Sequence, residues 1–126
     1  MDTSKEYIKM CEKAEEIHKR WCPNVGDFVY RGKEYLKIKD ACCVVTDILD
    51  SRIEKCTWLP RQDQLQDIVF EDKIFDWQSW VDLFEQFRVS PIKTEEEACS
   101  SMEQLWLAFV MKEKYNKAWS GEEWVK

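Results

Sequence analysis

Glycine and histidine are scarce in this chain of 126 residues, and both shortages exclude classes of function. Three glycines are too few for a glycine-rich phosphate loop or a dinucleotide-binding turn. One histidine excludes a catalytic or metal centre that needs several imidazole groups. The motifs Ser-x-x-Lys, Gly-x-Ser-x-Gly and His-Glu-x-x-His are also missing. We therefore predict no catalytic residue, no cofactor and no metal ligand.

Long apolar runs are absent as well. No segment approaches the roughly 18–20 apolar residues that a membrane span requires, and residues 1–6 are polar and charged, unlike a secretory signal. We therefore expect a cytoplasmic protein without a membrane partner. The six cysteines include no Cys-x-x-Cys pair, so in a reducing compartment we expect them to remain free thiols.

The net charge of −6 is unevenly distributed along the chain. Residues 1–60 carry 11 basic and 11 acidic side chains, whereas residues 61–126 carry 8 basic and 14 acidic side chains. An acidic half repels nucleic-acid phosphate, so we expect no nucleic-acid binding. The acidic side chains either favour solubility or form a face that meets a basic partner surface, as a nucleic-acid mimic does.

The beginning of the chain follows a helical pattern. Thr3 and Glu6 have the spacing of a capping box, which predicts a helix over residues 4–21. Its apolar residues recur every three or four positions, as in one helical stripe: Tyr7, Cys11, Ala14, Ile17 and Trp21. Cys11, His18 and Cys22 would lie near one face. Ordinary packing explains them, and part of a zinc site without an evident fourth ligand is the alternative.

The middle of the chain has the pattern of strands. The runs 28–30 and 35–38 flank Arg31-Gly32-Lys33 and predict a β-hairpin. Residues 41–45 form an apolar run that suits a central strand, and residues 53–59 have strand character again. We therefore expect three to four antiparallel strands.

Helical patterns return after Pro60. A short helix is predicted over residues 61–69, and Asp76 is the predicted N-cap of a second helix. The apolar face of that second helix consists of Trp77, Trp80, Val81, Phe84 and Phe87. Thr94 and Glu97 form a capping box that predicts the start of the longest helix, which should end near Asn116.

The C-terminal tail, residues 118–125, has the pattern of a small hairpin around Ser120-Gly121. With the preceding elements it predicts one domain over residues 1–126. We expect an α+β fold, in which a small antiparallel sheet of three to four strands has about four helices packed largely on one face.

Seven tryptophans can fill a small core, anchor a protein interface or stack on a planar ligand. Trp119 and Trp124 are the most plausible exceptions to a core role, because they lie near the C-terminus on a thin element. Arginines suited to base and phosphate contacts complete the predicted binding surface, which is Trp119, Trp124, Arg52, Arg61 and Arg88.

Glu71, Asp72 and Asp76 could hold a divalent cation, but without EF-hand spacing a solvated loop is the favoured interpretation.

Three segments carry a resemblance to known proteins: residues 58–66 (WLPRQDQLQ), residues 101–115 (SMEQLWLAFVMKEKY) and residues 119–124 (WSGEEW). Together they resemble small uncharacterised proteins encoded by phages and prophages of Gram-positive, clostridia-like bacteria. The resemblance extends over most of the chain. It implies a mobile-element genome, the cytoplasm of a bacterial host cell and an accessory role, and it assigns no function to any residue.

The function predicted from the sequence is that of a small non-enzymatic phage or prophage accessory protein that binds a host or phage macromolecule. A protein is the expected partner, and a homo-oligomer is considered beside it. The alternative is an oligomeric ligand-binding protein that sequesters a nucleotide-like molecule. A third hypothesis is an enzyme with a metal held by scattered carboxylates.

Overall fold

The structure is a computed structural model that describes residues 2–31, 34–37, 56–71, 76–89 and 101–126. These residues form two compact units: residues 3–61 make the first, and Asp2 with residues 62–126 makes the second. Helices and antiparallel strands are both present, which confirms the α+β class. A single domain over residues 1–126 stays a prediction. None of the helices in the described ranges is long and apolar enough to cross a membrane.

The first unit begins with two helices where the sequence predicted one. Helix α1 is Lys5–Lys13, α2 is Glu15–Arg20, and Ala14 between them has φ −89° and ψ 67°. The N–H of Ala14 donates to the carbonyl of Cys11, three residues back, so the helical i→i−4 ladder is interrupted. Ala14 is buried, and as a strong helix former it gives no local signal for this break. The prediction of one continuous helix was wrong.

The N-terminal cap of α1 also differs from the prediction. Ser4, rather than Thr3, is the N-cap, and its hydroxyl accepts a hydrogen bond of 3.2 Å from the N–H of Tyr7. Ser4 has the extended backbone that an N-cap requires, with φ −65° and ψ 154°. The helix therefore begins one residue later than the capping-box spacing indicated.

Three strands follow in the first unit: β1 is Phe28–Arg31, β2 is Glu34–Lys37 and β3 is Cys56–Leu59. Strand β1 pairs antiparallel with both others, in the order β2-β1-β3, so that Phe28 lies opposite Lys37 on one side and Leu59 on the other. This pairing confirms the predicted hairpin. The strand predicted over residues 41–45 lies outside the described residues.

Helix α1 packs on β3 in the first unit. Tyr7 is fully buried, and its hydroxyl donates a short hydrogen bond to the carbonyl of Pro60, directly after β3. This bond joins residues 53 positions apart and fixes the helix against the strand. The other buried apolar residues of the unit include Met10, Cys11, Ile17, Val29, Cys56, Trp58 and Leu59.

The second unit contains three helices: α3 is Gln62–Phe70, α4 is Trp77–Arg88 and α5 is Met102–Tyr115. Helix α5 is central, because it packs against α3 and α4 and buries side chains around most of its circumference. These side chains are Gln104, Leu105, Trp106, Leu107, Phe109, Val110 and Met111. The predicted short helix over residues 61–69 agrees with α3 to within one residue at each end.

Polar side chains and one left-handed residue fix the ends of these helices. Asp76 is the N-cap of α4, as predicted, and its Oδ1 accepts a 2.8 Å hydrogen bond from the N–H of Ser79. Ser101 is the N-cap of α5, so that helix begins after the start predicted at Thr94, which lies outside the described residues. Asn116, with φ 53° and ψ 44°, ends α5 and confirms the predicted left-handed cap.

The C-terminal tail forms the predicted hairpin, with β4 at Ala118–Trp119 and β5 at Trp124–Val125. Trp119 lies opposite Trp124, and their ring centroids are 5.0 Å apart. The hydroxyl of Ser120 accepts hydrogen bonds from the N–H groups of Glu122 and Glu123, and Gly121 supplies a positive φ of 98°. Strand β4 packs on α5, which gives the hairpin the support that it lacks in isolation.

Candidate functional site

The residues predicted as a binding surface lie in different surroundings. Trp119 and Trp124 contact each other and are each only 8% exposed, so little of either indole is accessible to a partner. Arg88, at the end of α4, forms an exposed ion pair of 2.8 Å with Glu85. Arg61 belongs to the first unit, and Arg52 lies outside the described residues. Within the described part of the second unit, the two tail tryptophans of this set contact each other.

The guanidinium of Arg61 is engaged within the first unit. Its Nη1 donates to the carbonyl of Gly26 over 2.8 Å and lies 3.6 Å from Oδ1 of Asp27. Gly26 has φ 94°, a conformation that side chains with a Cβ rarely adopt, and this turn presents its carbonyl to the arginine. Arg61 thus fixes a turn, which gives it a structural role beside any contact with phosphate.

Asp27 is the centre of a buried polar network in the same unit. Its Oδ2 accepts hydrogen bonds from the indole N–H of Trp21 over 2.8 Å and from the backbone N–H of Asn24 over 3.0 Å. With Arg61 on its other oxygen, this carboxylate receives the partners that a buried charge requires. The network holds the segment between α2 and β1, and sequence reasoning missed it because the partners come from separate elements.

His18 and two indole rings extend this network toward β3. Trp21 stacks on Trp58 with ring centroids 5.8 Å apart, and His18 contacts the edge of the Trp21 ring. The Nε2 of His18 lies 3.0 Å from the carbonyl oxygen of Cys56, to which it donates when protonated at that nitrogen. Burial lowers the pKa of His18, because the charged imidazolium loses hydration there.

Metal binding by Cys11, His18 and Cys22 requires the three side chains to meet. Cys11 is buried and Cys22 is exposed, while His18 is directed to the β3 backbone. Within the ranges that the structure describes, no three His, Cys, Asp or Glu side chains are grouped to hold a metal ion. The break at Ala14 also changes the helical spacing on which the zinc alternative depended.

The structure exposes the side chain of Trp77, which the sequence pattern had placed on an apolar helix face. It was predicted on the apolar face of α4, but it is 60% exposed, whereas Trp80 and Phe84 on that face are buried. Trp77 is the first residue of α4. The available sequence signal for its exposure was its position at the start of the helix, because the apolar stripe of α4 does not show which of its residues are buried.

The aromatic residues behind Trp77 form the core of the second unit. Phe84 stacks on Trp106 with ring centroids 3.9 Å apart and an interplanar angle of 5°, and Phe109 contacts both rings edge-on. Phe70 joins this cluster to the surface, because it contacts Trp106 at 6.3 Å and Trp77 at 4.6 Å. Trp77 is therefore an exposed indole supported from one side by a half-buried phenyl ring.

Acidic side chains lie on both elements that carry this aromatic pair. Asp76 directly precedes Trp77, and hydrogen bonds from the backbone and side chain of Ser79 lower its pKa. On α3 and just after it, Asp63, Asp67 and Glu71 are exposed and recur every four residues, so they follow one helix face. The Nζ of Lys114 lies 3.8 Å from Oε1 of Glu71 and partly offsets that charge.

The surface defined by Phe70, Trp77, Asp76 and the acidic row Asp63, Asp67 and Glu71 is called the Trp77 surface below. It combines an exposed indole with carboxylates, which suits contact with a cationic or amphipathic partner. It lies within the second unit, where the acidic excess of the sequence is found. Comparison of the chain with protein-family models, with curated proteins and with solved structures gives no match.

Proposed function

We propose that this chain is a small non-enzymatic phage or prophage accessory protein that binds a host or phage protein through the Trp77 surface. The observation that carries the proposal is the exposure of Trp77, at 60%, in a unit that buries the aromatic side chains of Trp80, Phe84, Trp106 and Phe109. An exposed tryptophan leaves a large apolar area in water, and tryptophan is enriched among the residues that dominate binding energy at interfaces. The indole is thus available for a contact that the isolated chain does not make.

Charge supports a protein rather than a nucleic acid as the partner. The chain from Arg61 onward has six more acidic than basic side chains, and nucleic-acid binding depends on the opposite excess. A protein partner with a basic surface would be attracted and oriented by this charge. The proposal places the interaction in the cytoplasm of a bacterial host cell, as the sequence resemblance implies.

Affinity capture from a lysate of a Gram-positive bacterium tests the proposal. The tagged full chain is compared with Trp77→Ala and with Val89→Ala, because Val89 is a second exposed apolar residue near α4, 64% exposed. We expect a protein that the original chain enriches, that Trp77→Ala loses by about tenfold or more, and that Val89→Ala retains. Equal capture by all three proteins would contradict the proposal. Matching melting temperatures would show that the variants remain folded, as surface substitutions normally do.

A further inference from the structure

We infer that the partner presents an arginine- or lysine-rich segment, and that one of its cationic side chains binds on the indole ring of Trp77. The inference rests on the proposed function and names the chemistry of the partner at the same surface. Three observations carry it: the support and exposure of the indole, the charge around it, and the use of similar contacts elsewhere in the chain.

The Trp77 ring is suited to a cation because it is held in place and still open. Phe70 contacts it at an interplanar angle of 61°, with ring centroids 4.6 Å apart, and 60% of the residue remains exposed. Tryptophan attracts cations more strongly than phenylalanine or tyrosine, since its ring has the most negative face. A ring supported by a neighbour needs less ordering when a partner binds.

Two phenylalanine rings of this chain already have cations near them. The Nζ of Lys37 lies 5.5 Å from the ring centroid of Phe28, and the Nζ of Lys112 lies 5.5 Å from that of Phe87. Trp77 is a better cation acceptor than either, yet among the described residues no cation is placed over it. A cation from a partner would fill the position that lysines of the chain fill at those two rings.

Charge complementarity selects a cationic occupant over a neutral one. Asp76 adjoins Trp77 in the chain, and the Asp63, Asp67 and Glu71 row leads along α3 to Phe70. Like charges four residues apart on a helix repel each other. A basic segment lying along α3 would reduce that repulsion while one of its side chains contacts the indole.

Two basic side chains in the described part of the second unit contact carboxylates. Lys114 contacts Glu71 at 3.8 Å, and Arg88, at the other end of α4 from Trp77, pairs with Glu85 at 2.8 Å. Helix α3 contains no lysine or arginine. Helix α3 therefore contributes acidic side chains and no basic ones to the Trp77 surface.

Fluorescence anisotropy with a labelled hexa-arginine peptide tests the inference, with a hexa-citrulline peptide as the neutral probe of equal shape. Trp77→Leu keeps an apolar side chain but removes the ring, and we expect about 2- to 5-fold weaker binding of hexa-arginine. Asp76→Asn keeps a good N-cap without the charge, and it should weaken binding about 2-fold, as should Asp67→Asn. Glu85→Gln, on the same helix as Trp77, is the matched control and should leave binding unchanged.

The outcomes separate the inference from the proposed function. Binding of hexa-arginine that Trp77→Leu weakens, together with no binding of hexa-citrulline, would support a cation on the indole. No binding of hexa-arginine at millimolar protein, equal binding of both peptides, or binding that Trp77→Leu leaves unchanged would overturn it. If the peptide fails while Trp77-dependent capture from lysate persists, the proposed function stands and only the cationic contact is refuted.

Discussion

The indole N–H of Trp21 donates a 2.8 Å hydrogen bond to Oδ2 of Asp27, a residue that is 3% exposed. The bond links the residue that ends α2 to the residue that precedes β1, so a buried carboxylate determines how helix and sheet are joined in the first unit. Arg61, which follows β3, completes the charge balance of this site.

Removal of the Asp27 carboxylate should destabilise the first unit more than removal of its charge alone. Asp27→Ala leaves the N–H groups of Trp21 and Asn24 without their acceptor, and we expect a loss of about 2–3 kcal/mol in the free energy of unfolding. Asp27→Asn retains one acceptor oxygen and should cost less. Urea unfolding followed by circular dichroism measures both values, and an Asp27→Ala variant as stable as the original chain would refute this role.

The folding stability of the first unit should fall as the pH decreases below 7. Burial lowers the pKa of His18 below its ordinary value of 6.5, so the unfolded chain binds the proton more tightly than the folded chain. Stability is then complete above pH 6.5 and decreases as the pH falls through 6.5 toward the lowered folded pKa.

The chain contains one histidine, so proton NMR reports this pKa without assignment. The Cε1 proton should titrate below 6.5 in the folded protein and near 6.5 in concentrated urea. A folded midpoint at or above the urea value would show that the imidazole is not desolvated. His18→Gln should remove the pH dependence of the melting temperature between pH 7 and 5.5.

The tail tryptophans should contribute to stability, because the structure buries them. Trp124→Ala removes a side chain that contacts Trp119 and is 8% exposed, and we expect a loss of about 3 kcal/mol and a melting temperature lower by several degrees. Val125→Ala changes an exposed neighbour and serves as the control. A deletion of residues 118–126 that leaves both melting temperature and elution volume unchanged would show that the tail does not pack.

Cys22 should react with thiol reagents faster than Cys11 and Cys56, because it is exposed and they are buried. Titration of the folded protein with a chromogenic disulfide should lose one rapidly reacting thiol in Cys22→Ser and none in Cys11→Ser. After denaturation the original chain should release six thiols, as expected of a chain without disulfides. Four thiols or fewer would contradict the reducing compartment predicted from the sequence.

Local sequence signals predicted the elements whose causes are local. The N-cap at Asp76, the left-handed residue Asn116 and the turn at Ser120-Gly121 all follow from side-chain chemistry within a few residues. The break at Ala14 has no such local signal, because alanine favours continuation of a helix. The periodicity of apolar residues therefore predicted that this segment is helical, but it did not predict that the helix is broken into two.

The candidate site was harder to predict than the fold for the same reason. Trp77 and Trp80 belong to the same predicted apolar stripe, but Trp80 is buried and Trp77 is 60% exposed. Trp119 and Trp124 were predicted as part of a binding surface because their element is thin; each is 8% exposed, and β4 packs on α5. The exposure of a side chain depends on which other elements pack around it, and the spacing of apolar residues within one segment does not predict that packing.

Indole NMR of the chain labelled with ¹⁵N-tryptophan tests the Trp77 surface most directly. Seven tryptophans give seven indole N–H signals, and Trp77→Phe identifies the one of interest. On addition of hexa-arginine, we expect the Trp77 signal to shift progressively while the signals of Trp119 and Trp124 stay in place. Shifts confined to Trp119 and Trp124, with Trp77 unchanged, would contradict binding at the Trp77 surface and would locate it at the tail.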